Sequence, residues 1–127
     1  MTGKDNQLNS LIGLSHVFSS KTNEQEACWE FCRQMSSIFD VKLPEKIEGM
    51  VQTNEPSLHG IVLFQSGNLW HAGFIWPDGL HFIHVIPDSK LRDSATYTIR
   101  WERLTLFPWN LLKKEYYVSP DISSPTT

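Results

Sequence analysis

The chain has 127 residues, 40% of them hydrophobic and 20% charged, with a formal net charge of −3. That suits one globular domain with a real core. The absence of a basic run argues against nucleic acid as the main partner and against a polybasic membrane contact. No apolar run reaches membrane-spanning length, and no apolar h-region follows Met1, so synthesis in the cytoplasm without a signal peptide is expected.

In chain order, Leu8, Leu11 and Ile12 suit a short helix on the core, ended or bent by Gly13. Residues 19–23 read as a polar loop. A second helix follows, from about Asn23 to Asp40. Asn23 with Glu26, and Thr22 with Gln25, each fit a capping box. Ala27, Cys28, Phe31, Cys32, Met35 and Ile38 or Phe39 recur at the spacing of one buried face. Val41-Lys42-Leu43-Pro44 leaves this helix. Ile47, Met50 and Val51 allow another short helix before Asn54-Glu55-Pro56.

From His59 the pattern becomes β. Gly60 to Phe64 reads as a buried strand, and Ser66-Gly67-Asn68 as a turn. Leu69 to Trp76 and Leu80 to Ile86 form a hairpin around Trp76-Pro77-Asp78-Gly79. Tyr97, Ile99 and Trp101 alternate against Thr98, Arg100 and Glu102 in a further strand or two. Phe107-Pro108-Trp109-Asn110 breaks that run, and Glu115 to Val118 is a last strand. The expected architecture is α+β, helices first and then a small antiparallel sheet. One domain over residues 1–118 and a frayed tail over 119–127 are expected.

Cys28 and Cys32 lie four apart on one helix, a spacing that suits a disulfide poorly. Both read as free thiols, as in a cytosolic protein. Cys28 falls in the first turn or two, where the positive helix end favours a thiolate. The helix by itself reads more simply, with Cys28 and Cys32 as two small buried hydrophobes, as most free cysteines are. His71 opens the first hairpin strand, and His81 and His84 lie on the second. A helix cysteine beside a strand histidine is the arrangement of papain-like thiol catalysis, with His71 as general base. A polar group on the adjacent strand would hold its tautomer. A two-residue loop sets His71 opposite His84; a three-residue loop puts it on one face with His81 unless a bulge restores the phase. A zinc shell of Cys28, His71, His81 and His84 is the competing arrangement. No Cys-x-x-Cys or His-Glu-x-x-His supports it, so neither metal nor cofactor is expected. Nucleotide-binding and serine-hydrolase signatures are absent.

Taken in order, these segments resemble NlpC-type cysteine peptidases of the bacterial cell wall, in their phage-tail or prophage branch. Cys28-Trp29-Glu30-Phe31 followed by Val41-Lys42-Leu43-Pro44 is similar to the family's cysteine helix. Gly60 to Phe64 resembles its Gly-Asp-Val strand. His71-Ala72-Gly73-Phe74-Ile75 resembles its His-Val-Gly-Ile-Tyr strand, and Asp78-Gly79 with Phe82-Ile83-His84-Val85 its Asp-Gly turn and Phe-Ile-His-Ala strand. Gly13 to Phe18 falls where the family has Gly-x-Pro-Tyr-x-Trp.

The resemblance runs from about Leu11 to Val118. It implies a papain-like fold and hydrolysis of peptidoglycan stem peptides, commonly after γ-D-glutamate. Cys28 would be the nucleophile, His71 the base and His84 the orienting residue, with His81 as the alternative. His16 stands where a family tyrosine donates to the oxyanion, and Trp29 would line the substrate site. The backbone N–H of Cys28 would belong to the oxyanion hole. Ala27 and Glu30 replace the usual Asp and the small residue after the nucleophile. The implied partners are stem peptide and phage tail proteins, with action at the cell wall. Two rival expectations follow: a divergent, non-catalytic domain serving in tail assembly or wall binding, and an N-acetylmuramoyl amidase using the same residues.

Overall fold

The period-2 alternation after His59 becomes a meander of four strands. The computed structural model describes residues 3–17, 23–87 and 96–120. Its helices are α1, Gly3–Asn9, and α2, Glu24–Ile38. Its strands are β1 (Ser15–Val17), β2 (Val51–Thr53), β3 (Ile61–Ser66), β4 (Leu69–Ile75), β5 (His81–Pro87), β6 (Thr96–Arg103) and β7 (Lys113–Val118). They form one antiparallel sheet in the order β1-β6-β5-β4-β3-β7-β2. The fold is therefore α+β, with two helices and a seven-stranded sheet among the described residues.

Of the two expected capping boxes, the structure describes the one at Asn23. Its side chain accepts from the Glu26 N–H at 2.8 Å, and α2 then runs 15 residues. Thr22 lies outside the described residues. Ala27, Cys28, Phe31, Cys32 and Met35 are buried on one side of α2, which packs on β4 and β5. Beneath it lie Ile61, Leu63, Ala72, Phe74, Ile83, Val85 and Ile99. The opposite sheet face carries a second cluster, Val62, Phe64, Ile75, Phe82 and Leu104, closed by Trp109, Leu112 and Tyr116. Alternation along each strand divides the side chains between the two faces.

Several expectations change. The first helix is earlier and shorter, and Gly13 (φ +87°) turns the chain into β1. The short helix expected through Ile47, Met50 and Val51 is one 3-10 turn, Ile47–Gly49, followed by β2. Ser119 does not fray: it is buried, and its hydroxyl donates to the Lys42 carbonyl at 2.8 Å. The rest of the expected tail beyond Pro120 lies outside the described residues. Both cysteines are free and buried. No helix among the described residues is long and apolar enough to cross a membrane.

Candidate active site

The hairpin register decides which histidines meet. Trp76 N–H donates to the His81 carbonyl, and Phe74 pairs with Ile83. Four residues, 77–80, therefore connect the strands, not the two or three that the turn suggested. Gly79 takes φ +72° there, and Asp78 caps the turn by accepting from the Leu80 and His81 N–H groups. In this register His71 and His84 share a face as diagonal neighbours, and His81 takes the other. His71 Nε2 lies 2.7 Å from His84 Nδ1. His81 instead pairs with Asp78 at 2.6 Å and stacks on Trp101 at 3.9 Å. The four residues of the alternative zinc shell are thereby dispersed over the two faces.

A third member, which the strand alternation alone did not single out, closes the chain. His84 Nε2 lies 2.5 Å from Glu102 Oε2. Glu102 pairs with Phe82 across β5 and β6, so it shares the face of His84. The hydrogen bond from His84 holds the Glu102 carboxyl down at about 2. Burial lowers both imidazoles, His71 to about 3, where His84 adds to the effect. At neutral pH the trio is thus an anionic carboxylate and two neutral rings.

Trp109 covers the pair. Its ring stacks on His71 at 5.4 Å and meets His84 edge-on at 5.1 Å. The indole N–H helps draw the Glu102 pKa down, yet its buried nitrogen has no acceptor at hydrogen-bonding geometry among the described residues. Gly73 makes room on the same face: a Cβ there would come within 2.5 Å of the Phe82 ring, which lies against His84 at 4.5 Å.

Cys28 sits elsewhere. The Ile75 N–H donates to the carbonyl of Gly60, just before β3, so the N–H groups of Ala72 and Phe74 point the other way, toward β5. The β4–β5 ladder stops at the Phe74–Ile83 pair. The Ala72 N–H, which would make the next rung, donates to Cys28 Sγ at 3.3 Å. The thiol in turn donates to the Gln25 carbonyl at 3.2 Å. Sγ therefore fills the opening between the strands, against the peptide that follows His71. Its hydrogen bonds run to backbone and not to an imidazole. Burial pushes this thiol up to about 12, against the expected lowering by the helix end. The Ala72 N–H opposes that rise, and Glu24 adds to it. Cys32, fully buried, is raised as well.

The two expected substrate-side residues have structural neighbours. His16 lies on β1 opposite Tyr97 and meets Phe31 edge-on at 5.8 Å. Trp29 is buried, and its indole donates to the Glu45 carbonyl at 2.9 Å. One edge of it lines a cleft of about 270 Å³ with Asn23, Glu26, Ile47 and Trp70. Tyr97, unsuspected from sequence, is buried on the α2 face, and its phenol is raised by burial and by nearby Glu24 and Cys28. The chain matches no protein-family model and no curated protein sequence.

Proposed function

We propose that the chain is a papain-like cysteine hydrolase that cuts peptide bonds of peptidoglycan stem peptides, carried in a phage or prophage tail. The observation that carries this reading is the run Glu102–His84–His71, ending beside the backbone N–H that holds Cys28 Sγ. The motif order that resembles NlpC-type peptidases supplies the substrate class. In this mechanism His71 takes the proton from Sγ, and the thiolate attacks the scissile carbonyl carbon. The tetrahedral oxyanion is met by backbone N–H donors near the start of α2. His71 then returns the proton to the leaving amine, and water, deprotonated by His71, releases the acyl group from Sγ. Because the thiol and His71 both rest neutral and without a bond to each other, substrate entry must bring Sγ to the ring.

The test is digestion of purified sacculi by wild-type protein and by Cys28→Ala, with mass spectrometry of the fragments. Fragments from wild type alone support the proposal, and their masses separate an endopeptidase from an amidase. Equal release by Cys28→Ala overturns it.

A second reading, a non-catalytic tail or wall-binding domain, is favoured by one observation: Cys28 has no exposed surface and its thiol is pushed up to about 12. Iodoacetamide at about pH 6 separates the two, because only a thiol activated in solution alkylates faster than a model thiol there.

A further inference from the structure

We propose that Glu102 is a positioning residue whose carboxylate, acting through His84, sets the tautomers of both imidazoles and leaves the lone pair of His71 on Nδ1. A carboxylate can only accept, so His84 must carry its proton on Nε2, 2.5 Å away. His84 Nδ1 is then an acceptor. The atom facing it at 2.7 Å, His71 Nε2, must carry the proton of that ring. His71 Nδ1 is left bare, on the side of the ring nearest its own backbone. One anion thus orders two protons along β6, β5 and β4.

The placement argues against an incidental ion pair. Glu102 stands on the sheet face otherwise built from Val62, Phe64, Ile75, Phe82 and Leu104. A carboxylate there loses hydration and needs a partner. His84 has no exposed surface, so its Nε2 needs an acceptor in turn. The groups set against Glu102 are His84 from β5, His71 beyond it on β4, Arg100 of its own strand and the indole of Trp109. Arg100 is half exposed and 3.7 Å away, too far for a hydrogen bond.

The tautomer assignment stands on geometry alone; its consequence for turnover rests on the thiol-hydrolase reading. Long-range proton–nitrogen spectra of the two imidazoles test the first near neutral pH, in wild type, Glu102→Gln and Glu102→Leu. Wild type is expected to show a bare Nδ1 and a protonated Nε2 on both rings. A protonated His71 Nδ1 in wild type overturns the proposal without any variant. Glu102→Gln, whose amide oxygen still accepts, should keep the wild-type pattern. Glu102→Leu should move the His84 proton to Nδ1 and, in response, the His71 proton to its own Nδ1. An unchanged pattern in a folded Glu102→Leu overturns the proposal. In the sacculus assay Glu102→Leu should lower kcat by about 100-fold or more, the scale of general-base catalysis, with KM little changed. Reordered tautomers together with full activity in Cys28→Ala would sink the hydrolase reading and leave the role of Glu102 standing.

Discussion

The two faces of the sheet are built from the same strands and do different things. The α2 face is apolar directly beneath the helix, with Cys28, Phe31, Cys32, Phe74 and Ile83 all without exposed surface. The far face carries His71, His84 and Glu102 among Phe64, Phe82 and Trp109. On β4 a single step along the chain, from His71 to Ala72, crosses from one to the other. The thiol meets that crossing point in the opening where the β4–β5 ladder ends. An apolar face holds its helix by area and tolerates small shifts; a hydrogen-bonded chain of rings fails with a shift of a fraction of an ångström.

Substitutions on the two faces should therefore differ in kind. Phe31→Ala removes a fully buried ring from α2 and should cost about 3–5 kcal/mol, read by denaturant unfolding. If the loss is under about 1 kcal/mol, α2 is not held by this face. Gly73→Ala should cost less, about 1–3 kcal/mol, because the Phe82 ring must move off the new Cβ. Its larger effect should fall on the imidazoles, since Phe82 lies against His84. The His71–His84 coupling should be lost from the proton–nitrogen spectra while the helix content stays unchanged. A wild-type spectrum in Gly73→Ala would show that the far face is as tolerant as the near one.

This division was partly legible in the chain. α2 declares itself by its cap and its apolar stripe, and the meander by alternation around Ser66-Gly67-Asn68 and Pro77-Asp78-Gly79. β1 and β2 do not, because each is three residues long and owes its existence to a distant partner strand. The hairpin left His81 and His84 open, since the phase depends on whether two, three or, as found, four residues make the turn. Glu102 was visible as one of an alternating set, but the register of β6 on β5 is not written in either strand. The charge state of Cys28 was the least legible quantity. A helix N-terminus predicts a lowered thiol pKa, whereas burial under the sheet raises it, and burial is a property of the whole fold.

The two faces should also part company in acid. Unfolded, each histidine takes up a proton near the ordinary imidazole value of about 6.5. Folded, His71 does so only near about 3, and His84 is lowered too. Below about 6.5 the unfolded chain binds more protons, so stability falls as pH falls through that window. Glu102 adds to the loss only below the ordinary carboxyl range, as pH approaches about 2. Lowering the pH from neutral to about 5 should thus remove about 1–2 kcal/mol for a group like His71. His71→Gln should show a shallower fall in Tm over the same range. Equal slopes in the two proteins would mean that the far face titrates like an open surface.

The smallest expected effect lies at the start of α2, where the near face meets the opening. Asn23→Ala removes the acceptor for the Glu26 N–H and should cost about 1 kcal/mol, a fall in Tm of about 3–5 °C. Cys28 is one turn from that cap and Cys32 two, so fraying should reach them unequally. Iodoacetamide should alkylate Cys28 measurably faster in Asn23→Ala than in wild type, with Cys32 unchanged. Local opening of the first turn would then be one way for Sγ to leave the Ala72 N–H. If both cysteines speed up together, they become accessible only through global unfolding, and α2 behaves as one rigid unit with the sheet beneath it.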